Sequence, residues 1–90
     1  MADYGWTVAV VDELGVVRPV TEGVKATADQ AWSEALSAAE SAVIEHPAAE
    51  EYRITVEGET ATLRPGRTET GEPDAAAALE SLAGLREARA

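Results

Sequence analysis

The chain has 90 residues, a formal net charge of −10 and no cysteine. That length suits one small domain, and the acidic balance argues against a nucleic-acid backbone or an anionic membrane as its direct partner. Without cysteine there is no disulfide and no cysteine-based metal site. Because no signal peptide or long apolar run is present, the sequence predicts a soluble cytoplasmic protein.

The first clear pattern lies at residues 4–11, where apolar and small or polar side chains alternate and Trp6, Val8 and Val10 share one side. Such alternation predicts a β-strand. A loop at 12–15 and a returning strand at 16–20 would complete a hairpin. Pro19 cannot donate a backbone hydrogen bond, which places the second strand at a sheet edge.

The longest element is a helix predicted from Thr27 to His46. Thr27 and Gln30 fit the capping-box pattern, and Pro47 ends the helix because it cannot continue the hydrogen-bond ladder. The apolar residues fall on one helical face, which we expect to be buried: Ala28, Ala31, Trp32, Ala35, Leu36, Ala39, Ala42 and Val43.

A second hairpin follows, with strands at 52–57 and 60–64 around a tight turn at Gly58. The element order is therefore ββαββ. We predict an α+β fold in which two hairpins flank one long amphipathic helix, forming a four-stranded antiparallel sheet with the helix on one face.

We divide the chain into a ββαββ domain at 1–67, a polar linker at 68–74 and a helical tail at 75–90. Asp74 can cap the tail helix, whereas Gly84 weakens it by about 1 kcal/mol. Its apolar stripe is weak, so three alternatives stay open: the tail docks on its own domain, swaps onto a second copy, or is partly disordered.

The charge pattern of the long helix is unusual. Six acidic residues and no Lys or Arg lie between Ala26 and Tyr52, so no ion pair can form within this segment. Ile44 falls away from the apolar face, which indicates either packing on a neighbouring segment or a contact surface. The predicted partner-binding residues are Asp29, Glu34, Glu40, Ile44, Glu45, Glu50 and Glu51.

Candidate catalytic chemistry is sparse. His46 is the only histidine, no serine lies in a nucleophile-elbow motif, and the paired carboxylates occupy turns rather than a cleft. No glycine-rich phosphate loop or calcium-loop pattern is present. We therefore expect no enzymatic activity, no cofactor and no metal.

One family resemblance lies in the order of elements. A hairpin, the segment Thr27–Leu36 opening an Ala-rich helix, and a further strand resemble the small partial-RNase-H-like domain of HicB-type antitoxins. The resemblance covers about residues 5–57, without the Pro- and Gly-containing segment usual between strands and helix there. It implies a proteinaceous inhibitor of a small basic RNase.

The pattern as a whole predicts a non-enzymatic protein-binding module, such as a small acidic inhibitor or adaptor. Its acidic helix face would engage a basic protein surface, including one that normally holds nucleic acid. The alternative is a self-associating structural domain, because a chain with 19 alanines and no phenylalanine has a thin core and a homodimer would bury more apolar surface.

Overall fold

A computed structural model describes residues 3–89. Its elements are β1 (Tyr4–Val11), β2 (Val17–Lys25), α1 (Ala28–Glu45), β3 (Glu51–Val56), β4 (Glu59–Leu63) and α2 (Ala75–Ala88). The strands form one antiparallel sheet in the order β2-β1-β3-β4. Helix α1 packs across one face of this sheet. The predicted α+β fold is therefore confirmed, including the edge position of the strand that contains Pro19.

The two hairpins join through their first strands, because β1 pairs with β3 at the centre of the sheet. Alternate residues of these strands point toward α1, as the two-residue period of a strand requires. They form the sheet side of the core, in which Val8, Tyr52 and Ile54 are fully buried.

Helix α1 begins and ends where the sequence predicts. The Thr27 hydroxyl accepts a hydrogen bond from the Gln30 N–H at 3.2 Å, which satisfies one orphan donor of the first turn. Its buried residues are Ala31, Trp32, Ala35, Leu36, Ala39, Ala42 and Val43. The alanines allow the helix backbone to lie close to the sheet, and the three larger side chains fill the remaining space.

Strand β2 is longer than predicted and contains a bulge. It runs to Lys25 instead of ending at 20, and Val20 is the extra residue between the partners of Val8 and Ala9. Gly23 pairs with Trp6 and leaves room for the indole, since a Cβ at this position would lie 2.7 Å from the ring. The glycine therefore serves a packing contact within a strand.

The segment between β4 and α2 is an ordered loop. Arg67 and Pro73 form an antiparallel bridge around a turn, and the Asp74 carboxylate accepts from the Ala77 N–H at 3.1 Å to cap α2. Helix α2 then packs against α1 of the same chain through Ala78 and Leu82, which are buried. Between residues 3 and 89, no helix is both long and apolar enough to cross a membrane.

Candidate protein-binding surface

The predicted partner-binding residues divide between two parts of the molecule. Asp29, Glu34, Glu40, Ile44 and Glu45 lie on α1, where all five are exposed. Glu50 immediately precedes β3, and Glu51, its first residue, is buried on the sheet face opposite α1. The structure therefore does not bring all seven residues into one surface.

The absence of Lys and Arg between Ala26 and Tyr52 suggests that the six acids of this segment lack cationic partners, which is wrong for four of them. Cations from outside the 26–52 segment approach them in the fold: Lys25 lies 3.6 Å from Glu34, Arg86 lies 3.8 Å from Glu40, Arg67 lies 2.6 Å from Glu50, and Arg53 and Arg64 lie 2.6 and 3.0 Å from Glu51. Asp29 and Glu45 form no ion pair with residues 3–89. Whether any of these residues binds a partner stays a prediction.

Helix α2 supplies cations to one flank of α1. The Arg86 Nη2 donates to the Ser37 hydroxyl at 3.2 Å, and the Arg89 guanidinium stacks 3.6 Å from the centre of the Trp32 ring. These contacts hold two arginines against the flank of α1 that contains Glu40. The sequence contains these arginines but does not predict that they contact α1. That contact depends on where α2 docks, and the weak apolar stripe of α2 does not specify the position.

In the part of the chain that the structure describes, the C-terminal end of α1 combines a carboxylate that has no ion pair with helix carbonyls that have no donor. The last turn contains no basic residue, and the carbonyls of Val43, Ile44 and Glu45 accept no hydrogen bond from residues 3–89. Pro47 has no N–H to donate to them. The Glu45 carboxylate therefore lies beside the negative end of the helix macrodipole, where an anion is unfavourable by about 0.3–1 kcal/mol.

Ile44 lies next to this anionic end and is 64% exposed. Of the two interpretations that its position suggested, packing on a neighbouring segment does not hold. An exposed aliphatic side chain beside an unpaired carboxylate can contact the stem of a basic side chain while the carboxylate binds its charged head.

A groove between α1 and β2 adjoins the same helix end. It consists of two depressions of about 530 and 460 Å³ that share Val20 and Glu45 in their linings. Its α1 wall carries Glu34 and Glu45, and Asp12 and Arg18 lie at its hairpin end. The groove has a partly apolar floor, an acidic helix wall and one arginine.

His46 has a structural position. The backbone N–H of His46 donates to the Ala42 carbonyl at 2.8 Å and ends α1. The backbone carbonyl of His46 accepts a hydrogen bond from the Tyr52 hydroxyl at 2.6 Å. Burial raises the pKa of Tyr52 above its ordinary value of 10.0, because the phenolate would be poorly solvated there. This hydrogen bond ties the helix end to the first residues of β3.

Among residues 3–89, Glu51 is the buried charged residue, with only 8% of it exposed. Its Oε2 accepts from the Arg53 Nε at 2.6 Å and its Oε1 from the Arg64 Nε at 3.0 Å. The hydrogen bond from Arg53 is the main cause that lowers the Glu51 pKa below 4.5, against the opposing effect of burial. The alternation of β3 places Glu51 and Arg53 on one face, but the approach of Arg64 depends on strand register.

No three Asp, Glu or His side chains of residues 3–89 gather closely enough to hold a metal ion. Comparison with known proteins found no match to a protein family, to a curated protein or to a solved structure. The likeness to HicB-type antitoxins accordingly stays a prediction from element order.

Proposed function

We propose that this protein is a non-enzymatic, cytoplasmic binding module that captures a basic segment of a partner protein at the C-terminal end of α1. A guanidinium or ammonium group of the partner would bind the Glu45 carboxylate and the carbonyls of the last helical turn. If the captured surface normally binds nucleic acid, the module acts as an inhibitor.

The observation that carries the proposal is the combination of an unpaired carboxylate, three carbonyls without donors and an exposed Ile44 at one helix end. A cation there gains from the carboxylate and the macrodipole together, and its hydrogen bonds are charge-assisted. The neighbouring groove offers space for residues on either side of the bound cation.

The remaining acidic residues of α1 have a different part in the proposal. Glu34 and Glu40 already have cations at 3.6 and 3.8 Å, and these exposed pairs contribute little energy. They add to the long-range attraction of a basic partner and so to the association rate. We therefore assign affinity to Glu45 and Ile44 and steering to the wider acidic surface.

Fluorescence anisotropy with a labelled peptide of alternating arginine and alanine tests the proposal. Glu45→Gln removes the unpaired carboxylate, and Glu69→Gln removes one exposed negative charge from the loop before α2. Both variants have a net charge of −9, because each removes one of the charges that give −10.

We expect Glu45→Gln to weaken binding about tenfold, as the loss of a charge-assisted hydrogen bond would do. Glu69→Gln should weaken it by less than about twofold, because an exposed charge contributes mainly long-range attraction. Equal losses in the two variants would mean that net charge alone attracts the peptide, and the site would be rejected.

Self-association is the second candidate, and exposed apolar side chains of the β1–β2 hairpin favour it. Leu14 is 83% exposed and Val24 is 61% exposed, and Val16 and Val17 are also exposed. A second copy could bury these side chains. Sedimentation of the wild-type chain and of Leu14→Ser with Val24→Ser would decide, since a monomer for both at every concentration would reject this candidate.

A further inference from the structure

The sheet face opposite α1 carries a cluster of polar and cationic side chains. Arg53 of β3 lies directly opposite Thr62 of β4, and Arg64 follows Thr62 by two residues on the same face. Both helices pack on the other side, so Arg53, Thr62 and Arg64 are exposed. They line a shallow depression of about 620 Å³.

The buried Glu51 holds the two guanidinium groups side by side. Each arginine donates its Nε to a different oxygen of this one carboxylate. The terminal nitrogens of both arginines make no hydrogen bond to residues 3–89, and the Thr62 hydroxyl likewise has no partner there. Glu51 therefore orients the two guanidinium groups through their Nε atoms, and their terminal nitrogens remain available to a ligand.

The charge of this cluster differs in sign from that of the whole protein. Two guanidinium groups and the Glu51 carboxylate give a local charge of +1, whereas the chain has −10. Glu22 lines the same depression, but its strand, β2, lies two strand spacings or about 10 Å from β3. A singly charged anion beside the two arginines is thus attracted locally, and Glu22 is the one carboxylate besides Glu51 that residues 3–89 contribute to the lining of the depression.

We propose that Arg53, Arg64 and Thr62 form a binding site for a carboxylate group. A planar guanidinium matches a carboxylate in shape, and two donors per arginine allow bidentate contacts. A phosphate dianion fits less well, because its second charge has no partner in a site of +1 and is repelled by the remaining protein. Glu51 acts as a positioning residue, since it reduces the conformational freedom that the arginines lose on binding.

Nuclear magnetic resonance on the full nitrogen-15-labelled chain tests this site with acetate as the probe. Acetate replaces chloride at constant ionic strength, so that screening does not change. We expect saturable shifts of the Arg53 and Arg64 Nε–H signals and of the Thr62 amide. The absence of saturable shifts at these positions would overturn the proposal.

Two charge-matched variants separate the site from the overall field. Arg64→Gln should weaken acetate binding about tenfold, because it removes a charge-assisted donor pair. Arg86→Gln, which removes a cation on the opposite side of the sheet, should leave the affinity within about twofold. Thermal unfolding of both variants establishes that they fold, and equal affinities in the two would contradict the proposal.

Two further probes define the ligand. Inorganic phosphate tests the chemistry, and tighter binding of phosphate than of acetate would reject the carboxylate assignment. A capped peptide containing one glutamate tests the source of the carboxylate. Tighter binding of this peptide than of acetate indicates a protein segment as the ligand, whereas equal affinity indicates a small carboxylic acid, and either result supports the site.

Discussion

The two faces of the sheet are built from alternate residues of the same strands, yet they have opposite chemistry. On the α1 side, Val8, Tyr52 and Ile54 are completely buried. On the other side, Thr55 and Thr60 contact each other through their hydroxyls at 3.2 Å, and Arg53 is exposed. One face therefore excludes water and the other remains hydrated.

This difference separates the residues that stabilise the fold from those that are free to bind ligands. Burial of apolar surface contributes about 25 cal/mol per Å², so most stabilisation comes from the α1 side. Side chains on the uncovered face add little to stability, and the charges there can be arranged for recognition. Four predictions, which use six variants, test this separation and the helices that accompany it.

The largest expected effect comes from neighbouring residues of β3 that point to opposite faces. Ile54→Ala should lower the free energy of unfolding by about 2–5 kcal/mol, because it leaves a cavity in a dry core. Thr55→Ala should change it by less than about 0.5 kcal/mol. Urea unfolding measures both, and similar losses for the two would show that the faces do not differ energetically.

Two glycines offer a second matched pair, with effects of opposite sign. Gly23→Ala should destabilise the protein by about 1–3 kcal/mol, since its Cβ would lie 2.7 Å from the Trp6 ring. Gly84→Ala, in α2 with no atom near the new Cβ, should stabilise it by up to about 1 kcal/mol. Thermal unfolding measures both, and a neutral Gly23→Ala would mean that Trp6 packs loosely.

On the uncovered face, Glu51→Gln should cost about 1 kcal/mol near neutral pH, because both arginine partners are largely exposed. The Glu51 pKa is lower in the folded than in the unfolded chain, so its stabilisation is present above 4.5. It is lost as the pH falls through the folded-state pKa. The difference between wild type and variant should shrink below pH 4.5 in urea unfolding, and a constant difference would contradict this origin.

The smallest effect concerns Glu45, which we assign to binding rather than to stability. Glu45→Gln should raise the free energy of unfolding by about 0.3–1 kcal/mol, because it removes an anion from the negative end of α1. The same variant should weaken capture of the arginine peptide. Urea unfolding provides the check, and a loss of stability would mean that Glu45 has a structural partner.

The sequence was sufficient for the fold because local patterns agree with one another. The alternation of β1 and β3, the Thr27 cap and Pro47 each depend on neighbouring residues only, and each prediction is confirmed. The β2 bulge at Val20 was missed, since strand pairing decides it and no local signal marks it. The extension of β2 past Gly23 depends on the distant side chain of Trp6.

The candidate site was predicted less well, because charge pairing is a property of the folded chain. The acids of α1 have no basic residue nearby in sequence, but Lys25 and Arg86 reach Glu34 and Glu40 in space. Glu51 was grouped with the helix acids, although strand alternation turns it to the opposite side. Ile44 was singled out because it falls away from the apolar face of the helix, whereas only the Pro47 that ends the helix distinguishes Glu45 from the other helix acids.

The bulge and Pro19 also limit aggregation through the exposed edge of the sheet. Strand β2 exposes one edge, and nine residues of unpaired backbone could template a fibril. Proline removes one donor from that edge and the extra residue interrupts its regular spacing, so a neighbouring strand finds no continuous ladder. Replacing Pro19 with valine should therefore shorten the lag before thioflavin-positive aggregates form on agitation.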